Sequence, residues 1–247
     1  MIRKYTQQGK NHVNQDICDH QDYVVWMIDG ATPLFGDDLL GGNDVQRTMQ
    51  QISQQLKIQS KKYDTLSQIL FHACKAVEQE YQNTISNYEQ IEKYKLPTFA
   101  CTMIKIHEET IDWYAIGDCE IYLDGEVYTD DRFARVNQRN QQPTDDKLIL
   151  LQSSRKLLNN DKSEEGYWIG SLDGKGIIHG KGGILPYDGT SPIYLYSDGM
   201  SKVFADKQLL KEKIQVESEA FIEYIHANRH RTTDDITMIE YTGEKDD

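Results

Sequence analysis

Apolar and polar positions follow two different periods along the chain, and the changes of period mark the predicted elements. The run "YVVWMI" ends at residue 28, directly before Asp29-Gly30, and a loop rich in Gly and Asp follows it. Between about 64 and 92, apolar residues recur at steps of three and four, which is the spacing of one helical face. The pattern predicts a buried strand, a loop and then two helices.

The second half of the chain is typical of antiparallel strands. From Thr98 onward, "TFACTMIKI", "TIDWYAIGD" and "EIYLDGEVY" are rich in β-branched and aromatic residues, and Asp124-Gly125 predicts a type I′ hairpin turn. The chain then passes through "SPIYLYSDGMSKVF", a helical stretch from about 201 to 230, and a terminal strand in "DDITMIEYT". The polar and Gly-rich segment from about 129 to 190 is either a flap or insertion, or a set of short strands.

Composition narrows the class of protein. Hydrophobic residues make up 38% of the 247 residues and charged residues 27%, which favours an ordinary globular protein, and we expect one domain over 1–247. The net charge of -13 argues against nucleic acid and anionic membranes as partners, because both are bound through Lys and Arg. No signal segment or apolar run of about 18 residues is present, so we expect a cytoplasmic protein.

Acidic residues at the ends of apolar runs are the candidate chemistry. Among five Asp-Gly pairs, those at Asp124, Asp173 and Asp188 lie where turns are expected. Asp29 and Asp198 differ, because each ends an apolar run and therefore lies at the rim of a core. A carboxylate is costly there unless a cation or hydrogen bonds satisfy it, although a turn remains the alternative for either residue taken alone.

Two further acids lie at strand ends, Asp16 in "VNQDIC" and Asp235 in "TTDDITMIEY". The four cysteines form no CxxC pair and no Cys/His cluster with zinc spacing, so neither a disulfide framework nor a zinc site is predicted. Carboxylates without thiol or imidazole partners make an oxygen-rich site of the kind that suits Mg²⁺ or Mn²⁺.

The order of these motifs carries a resemblance to a known family. "NQD", "MIDGA", "AIGDCEIYL", "LYSDGM" and "DDITMI" resemble, in sequence and order, the signature of the metal-dependent protein serine/threonine phosphatases of the protein phosphatase 2C type, over residues 9 to 241. The resemblance implies an α+β fold, a four-layer α-β-β-α sandwich of two antiparallel sheets flanked by helices. It also implies two divalent cations, Mn²⁺ or Mg²⁺, at one end of the sandwich.

The resemblance assigns roles to particular residues. It implies that Asp29 bridges both cations and that the Gly30 carbonyl binds one of them, while Asp198 and Asp235 complete the other shell. Asp16 would act through bound water, and Asp118 matches the position of a third, weaker cation. Paired cations about 3.5 to 4 Å apart activate a shared water for in-line attack on phosphorus, so no nucleophilic Ser or Cys is needed.

The chain departs from the family pattern near its start. Where the family has Arg-x-x-x-Glu-Asp, this sequence has Asn11, Gln15 and Asp16, so the guanidinium that holds the substrate phosphate is missing. Asn does not replace a planar bidentate fork, and Gln contributes no charge to the cation site. Lys10, Asn11 and His12 remain as candidates for a weaker phosphate contact.

Three functional hypotheses stay open on the sequence. The first is a monomeric phosphatase that removes phosphate from Ser or Thr of a phosphoprotein, paired with a serine/threonine kinase. The second is a phosphatase-like regulatory or binding module with little turnover. The absence of the family's Arg and Glu is the reason to retain this hypothesis. The third is a hydrolase of small phosphoesters.

Overall fold

The computed structural model describes residues 1–10, 13–35, 39–132, 147–160, 167–204 and 215–243. The strands in these residues are β1 (Ile2–Gln7), β2 (Asp16–Gln21), β3 (Val24–Gly30), β4 (Thr98–Ile106), β5 (Thr110–Ile116), β6 (Glu120–Leu123), β7 (Glu126–Thr129), β8 (Gly170–Ser171), β9 (Lys181–Pro186), β10 (Ile193–Tyr196) and β11 (Ile236–Tyr241). The α-helices are α1 (Asp44–Gln59), α2 (Leu66–Thr84), α3 (Lys147–Lys156), α4 (Asp198–Val203) and α5 (Glu219–Asn228). Short 3₁₀ turns cover Tyr88–Gln90, Lys93–Lys95, Ile177–His179 and Arg229–Arg231.

The strands form two antiparallel sheets. One sheet has the order β1-β11-β10-β6-β7, and the other has the order β2-β3-β4-β5-β9, with β8 paired to β4. The N-terminal strand β1 pairs with the C-terminal strand β11, so both ends of the described chain lie in the same sheet. The fold is therefore assembled from long-range strand pairs as well as from hairpins.

Three apolar clusters separate four layers. Val25, Met27, Ile121 and Leu195 belong to a cluster that lies between the two sheets. A second cluster joins the outer face of the β3 sheet to α1 and α2, and a third joins the outer face of the β10 sheet to α4 and α5. This arrangement confirms the predicted α-β-β-α sandwich.

Strand β3 shows how the apolar run is used. Val24, Trp26 and Ile28 face the helices, whereas Val25 and Met27 face the other sheet, because successive strand residues point to opposite faces. A run that is buried on both faces loses its alternation of polar and apolar residues, as the sequence shows. Asp29 continues the face of Val25 and Met27, so it lies at the end of the space between the sheets.

Other sequence predictions are confirmed at the level of elements. The two helices α1 and α2 follow the Asp29 loop, and the β6–β7 hairpin turns at Asp124 and Gly125 with φ of 50° and 93°, as a type I′ turn requires. The segment 129–190 contains α3, β8 and β9, while parts of the predicted flap lie outside the described residues. In the part of the chain that the structure describes, no helix is both long enough and apolar enough to cross a membrane.

Candidate metal centre

Asp29 is held in place by the chain on both sides of it. It lies directly opposite Asp16 in the β2–β3 pairing and opposite Ala100 in the β3–β4 pairing. The next residue, Gly30, donates its N–H to the Gln15 carbonyl at 3.3 Å. A Cβ at Gly30 would lie 2.6 Å from a Val45 methyl and 2.8 Å from the same carbonyl, so only glycine fits where the strand leaves the sheet.

Asp118 reaches the same region from the turn between β5 and β6. Gly117 has φ of 78°, and a Cβ there would lie 2.6 Å from the Ala100 Cβ. The turn can therefore lie directly on Ala100, the residue that pairs with Asp29. Two acids that are 89 residues apart in sequence are brought to one end of the sandwich in this way.

Asp198 and Asp234 come from the opposite sheet. Asp198 begins α4 directly after β10, and α4 approaches the start of β11 so closely that a Cβ at Gly199 would lie 1.9 Å from the Asp235 carbonyl oxygen. Lys202, one turn along α4, places its ammonium 2.6 Å from an Asp198 carboxylate oxygen and 3.6 Å from Asp234. A cation supplied by the chain itself thus lies between these two acids.

These acids share one cavity of about 250 Å³. Asp29, Asp118, Asp198 and Asp234 line it, each from a different strand end or turn. Gly30 and Arg155 also line it, together with apolar residues of the adjoining segments. The cavity combines four carboxylates with the Gly30 backbone.

The electrostatics of the cavity favour neutral acids or a bound cation. Burial raises the pKa of Asp29 well above its usual range, and Asp16, Asp198 and Asp118 raise it further by charge repulsion. Burial and then the charge of Asp198 raise the pKa of Asp118 to about 7. The pKa of Asp198 is raised by burial although Lys202 opposes the shift. A divalent cation would compensate both the burial of these carboxylates and the repulsion between them.

Asp235 does not reach the cavity. Its side chain accepts the N–H of Gly9 at 2.6 Å on one oxygen and the N–H of Gln15 at 2.7 Å on the other, and the residue is 7% exposed. The structure thus brings Asp234, and not Asp235, to the cavity wall, whereas the sequence-based prediction assigns Asp235 to a cation shell. Asp235 instead ties the segment before β2 to the start of β11.

Asp16 is half-buried and is not among the residues that line the cavity. Burial raises its pKa to about 8, with repulsion from Asp235 next, while hydrogen bonds from Ser197 and Thr237 lower it. One carboxylate oxygen of Asp16 is buried without a hydrogen-bond partner among the described residues. A buried acceptor of this kind is suited to binding a water molecule or a cation.

The candidate phosphate contacts are only partly described. Lys10 is exposed, and its backbone N–H donates to the Thr233 carbonyl at 3.0 Å, next to Asp234. Asn11 and His12 lie outside the described residues. Arg155 and Lys202 were not singled out from the sequence, although Lys202 follows Asp198 at the i+4 spacing that places two side chains on one helical face.

The donor chemistry fits a hard divalent cation. The cavity offers carboxylate oxygens and lies beside the Gly30 backbone, and the described residues contribute no thiol or imidazole to its lining. Within those residues, no three acidic, His or Cys side chains converge closely enough to hold an ion as they stand.

Comparisons with known proteins agree with this architecture. No protein-family model matches the sequence, and no curated protein does. Among solved structures, the serine/threonine phosphatase Stp1 from Staphylococcus aureus has a TM-score of 0.64 at 13% identity, covering 99% of this chain and 95% of that one. The catalytic domain of the phosphatase PstP in complex with two manganese ions gives 0.61 at 16%, with 97% and 96% covered.

A third neighbour is the phosphatase MsPP from Mycobacterium smegmatis in complex with cacodylate, with a TM-score of 0.60 at 16% identity and 99% and 98% covered. The match extends over nearly the whole of each chain. The resemblance that the motifs indicate is therefore confirmed at the level of structure. The chain has the fold of bacterial serine/threonine phosphatases.

Proposed function

We propose that this protein is a metal-dependent phosphatase that hydrolyses phosphoserine and phosphothreonine in phosphoproteins. One observation carries the proposal: in the fold of serine/threonine phosphatases, Asp29, Asp118, Asp198 and Asp234 converge from separate elements on one cavity. Convergence of like charges destabilises a fold unless a ligand compensates for it. A purely structural role leaves that cost unexplained.

The ligand set follows from the placement of these residues. Asp29, the Gly30 carbonyl, Asp198 and Asp234 would hold two divalent cations, and Asp118 would hold a third, weaker one. Asp16 would act through bound water. Two divalent cations, Mn²⁺ or Mg²⁺, would supply Lewis-acid activation of water and of the phosphoryl group.

The chain's own residues prepare the site for that chemistry. Burial and mutual repulsion raise the pKa values of Asp29 and Asp118 in the absence of a cation, so cation binding would favour the release of protons from them. Asp235 accepts the N–H groups of Gly9 and Gln15 and so orients the segment that carries Asp16. Lys202 pairs with Asp198 in the absence of a cation and would move away as one binds.

A binding module with little turnover is the second candidate. The ion pairs of Lys202 with Asp198 and Asp234 favour it, because they neutralise part of the site without any metal. Hydrolysis of small phosphoesters is the third, and it differs from the first only in the substrate that the cavity accepts. A phosphoprotein partner, and a kinase that supplies it, belong to the first candidate alone.

The experiment compares hydrolysis of p-nitrophenyl phosphate and of a phosphothreonine peptide in Mn²⁺, Mg²⁺ or EDTA. We expect turnover that EDTA and Asp198→Asn both abolish, with peptide preferred over the small ester. Asp124→Asn is the matched control, because Asp124 is also followed by Gly but lies in the β6–β7 turn, where Asn tolerates the positive φ. No turnover in folded protein with metal bound would favour the binding module.

A further inference from the structure

Arg155 is a buried cation in the wall of the acidic cavity. It lies on α3 near the end of the helix and is 9% exposed. The same cavity is lined by Asp29, Asp118, Asp198 and Asp234. Arginine is seldom buried to this extent without a partner that uses its charge.

The guanidinium has few partners for its donors. One terminal nitrogen lies 3.4 Å from the Thr32 carbonyl, and the guanidinium also interacts with the Tyr167 hydroxyl. The Nε atom is buried and has no hydrogen-bond partner among the described residues. An arginine carries five N–H donors, and each buried donor without an acceptor costs free energy. Arg155 therefore holds donors that fit an acceptor brought by a ligand.

A carboxylate does not fill that role in the described structure. Arg155 forms no ion pair within 4.0 Å with any described acid, even though several acids line the same cavity. A guanidinium whose task was to neutralise those acids would pair with one of them. Arg155 instead lines the same cavity as these carboxylates without pairing with them.

Arg155 also borders a second cavity of about 280 Å³. Ala31, Leu34 and Arg155 line both cavities, and Phe35 and Tyr94 line the second one. The guanidinium thus lies between the acidic cavity and an adjoining space with aromatic and polar walls. A group held by Arg155 can reach the acids on one side while the rest of a larger molecule occupies the other.

We infer that Arg155 binds the phosphate group of the substrate, and this inference rests on the proposed function. The planar fork of arginine matches two phosphate oxygens, and a charge-assisted pair of hydrogen bonds satisfies the orphan Nε. Arg155 then supplies the guanidinium that is missing at Asn11, from a different part of the chain. The peptide that bears the phosphate extends toward the Phe35 and Tyr94 side.

The test uses Arg155→Met and Arg155→Lys, with Arg47→Met as the matched control. Arg47 is also a helix arginine that donates to a backbone carbonyl, that of Leu40 at 2.6 Å, but it lies outside both cavity walls. Binding of inorganic phosphate to the Mn²⁺-loaded protein is measured by calorimetry. KM and kcat are measured separately on the phosphothreonine peptide.

We expect Arg155→Met to weaken phosphate binding at least about tenfold and to raise KM by a similar factor, because a desolvated guanidinium–phosphate pair is lost. Mn²⁺ binding should stay unchanged in the same variant. Arg155→Lys should recover part of the phosphate affinity, since it restores the charge without the fork. Arg47→Met should bind phosphate as the unaltered protein does.

Phosphate affinity that is unchanged in a folded Arg155→Met variant would overturn the inference, as would loss of Mn²⁺ binding with phosphate affinity intact. If Arg155→Met does not fold, Arg155→Lys decides, because unaltered affinity in that variant contradicts a bidentate contact. Failure of the proposed function has a different signature, which is absence of metal-dependent turnover in the unaltered protein. Turnover with no effect of either Arg155 substitution refutes the Arg155 inference alone.

Discussion

Asp118→Asn should stabilise the metal-free protein. Burial and the charge of Asp198 raise the pKa of Asp118 from its ordinary value of 3.8 to about 7 in the folded state. A group with a raised pKa keeps its proton in the folded state while the unfolded chain releases it. The free energy of unfolding therefore falls as pH rises from about 4, and the loss is complete above about 7.

The size of the effect follows from that difference. Between 3.8 and about 7, at 1.36 kcal/mol per pKa unit, the full cost is about 4 kcal/mol. The side chain is half-buried at the wall of an open cavity, so solvent screening reduces the figure to about 1–2 kcal/mol. Asn keeps the shape and removes the charge, so the variant should gain about 1–2 kcal/mol at pH 8 and nothing near pH 4.

The assay is urea unfolding in EDTA at pH 8 and pH 4, followed by the fluorescence of the three tryptophans. Asp188→Asn is the control with the opposite sign, because Asp188 accepts N–H bonds from Thr190 and Ser191 that lower its pKa to about 2. That variant should lose stability at pH 8. An Asp118→Asn variant no more stable than the unaltered protein at pH 8 would refute the charge-repulsion argument.

Three further predictions concern the same site. Asp235→Ala should lower the free energy of unfolding by about 2–4 kcal/mol in urea, with or without Mn²⁺, because two backbone N–H groups lose a charged acceptor; an unchanged midpoint would contradict this. Lys202→Met should bind Mn²⁺ roughly two- to fivefold more tightly by calorimetry, because an exposed ion pair with Asp198 no longer competes. Weaker binding would show instead that Lys202 contributes to Mn²⁺ binding. Asp29→Asn should abolish the rise in thermal midpoint that Mn²⁺ produces, and a retained rise would place the cations elsewhere.

The strand-end acids could be predicted from the sequence because their signal is local. An apolar run buried on both faces has to end at the rim of the core, and the residue that ends it keeps the direction set by strand alternation. Asp29 and Asp198 both follow such runs, and both line the cavity. The hairpin at Asp124 was equally local, because the turn type depends on two adjacent residues.

The choice between Asp234 and Asp235 could not be made from the sequence. Both residues precede the same apolar run, and the difference lies in which side chain the Gly9 and Gln15 amides contact. Those amides come from the other end of the chain, so the local sequence around Asp235 does not indicate that they bind it. Asp235, the acid directly before the apolar run, is the one that is buried. Its distance from the run can be interpreted only once the structure is known.

Arg155 was missed for a related reason. It lies in the polar segment between about 129 and 190, where the sequence shows neither a clear helical nor a clear strand period. Its importance comes from burial against Tyr167 and the Thr32 loop, which are contacts made only in the folded chain. Residues whose roles depend on such long-range burial need coordinates to be recognised.

The most direct test of the account is a crystal structure with Mn²⁺ and anomalous scattering data. We expect two manganese peaks in the cavity, with Asp29, Asp198 and Asp234 as ligands and Asp235 still bound to the Gly9 and Gln15 amides. Lys202 should then lie away from Asp198. The absence of manganese from this cavity, in crystals grown with saturating Mn²⁺, would contradict the proposed metal centre and the phosphatase chemistry built on it.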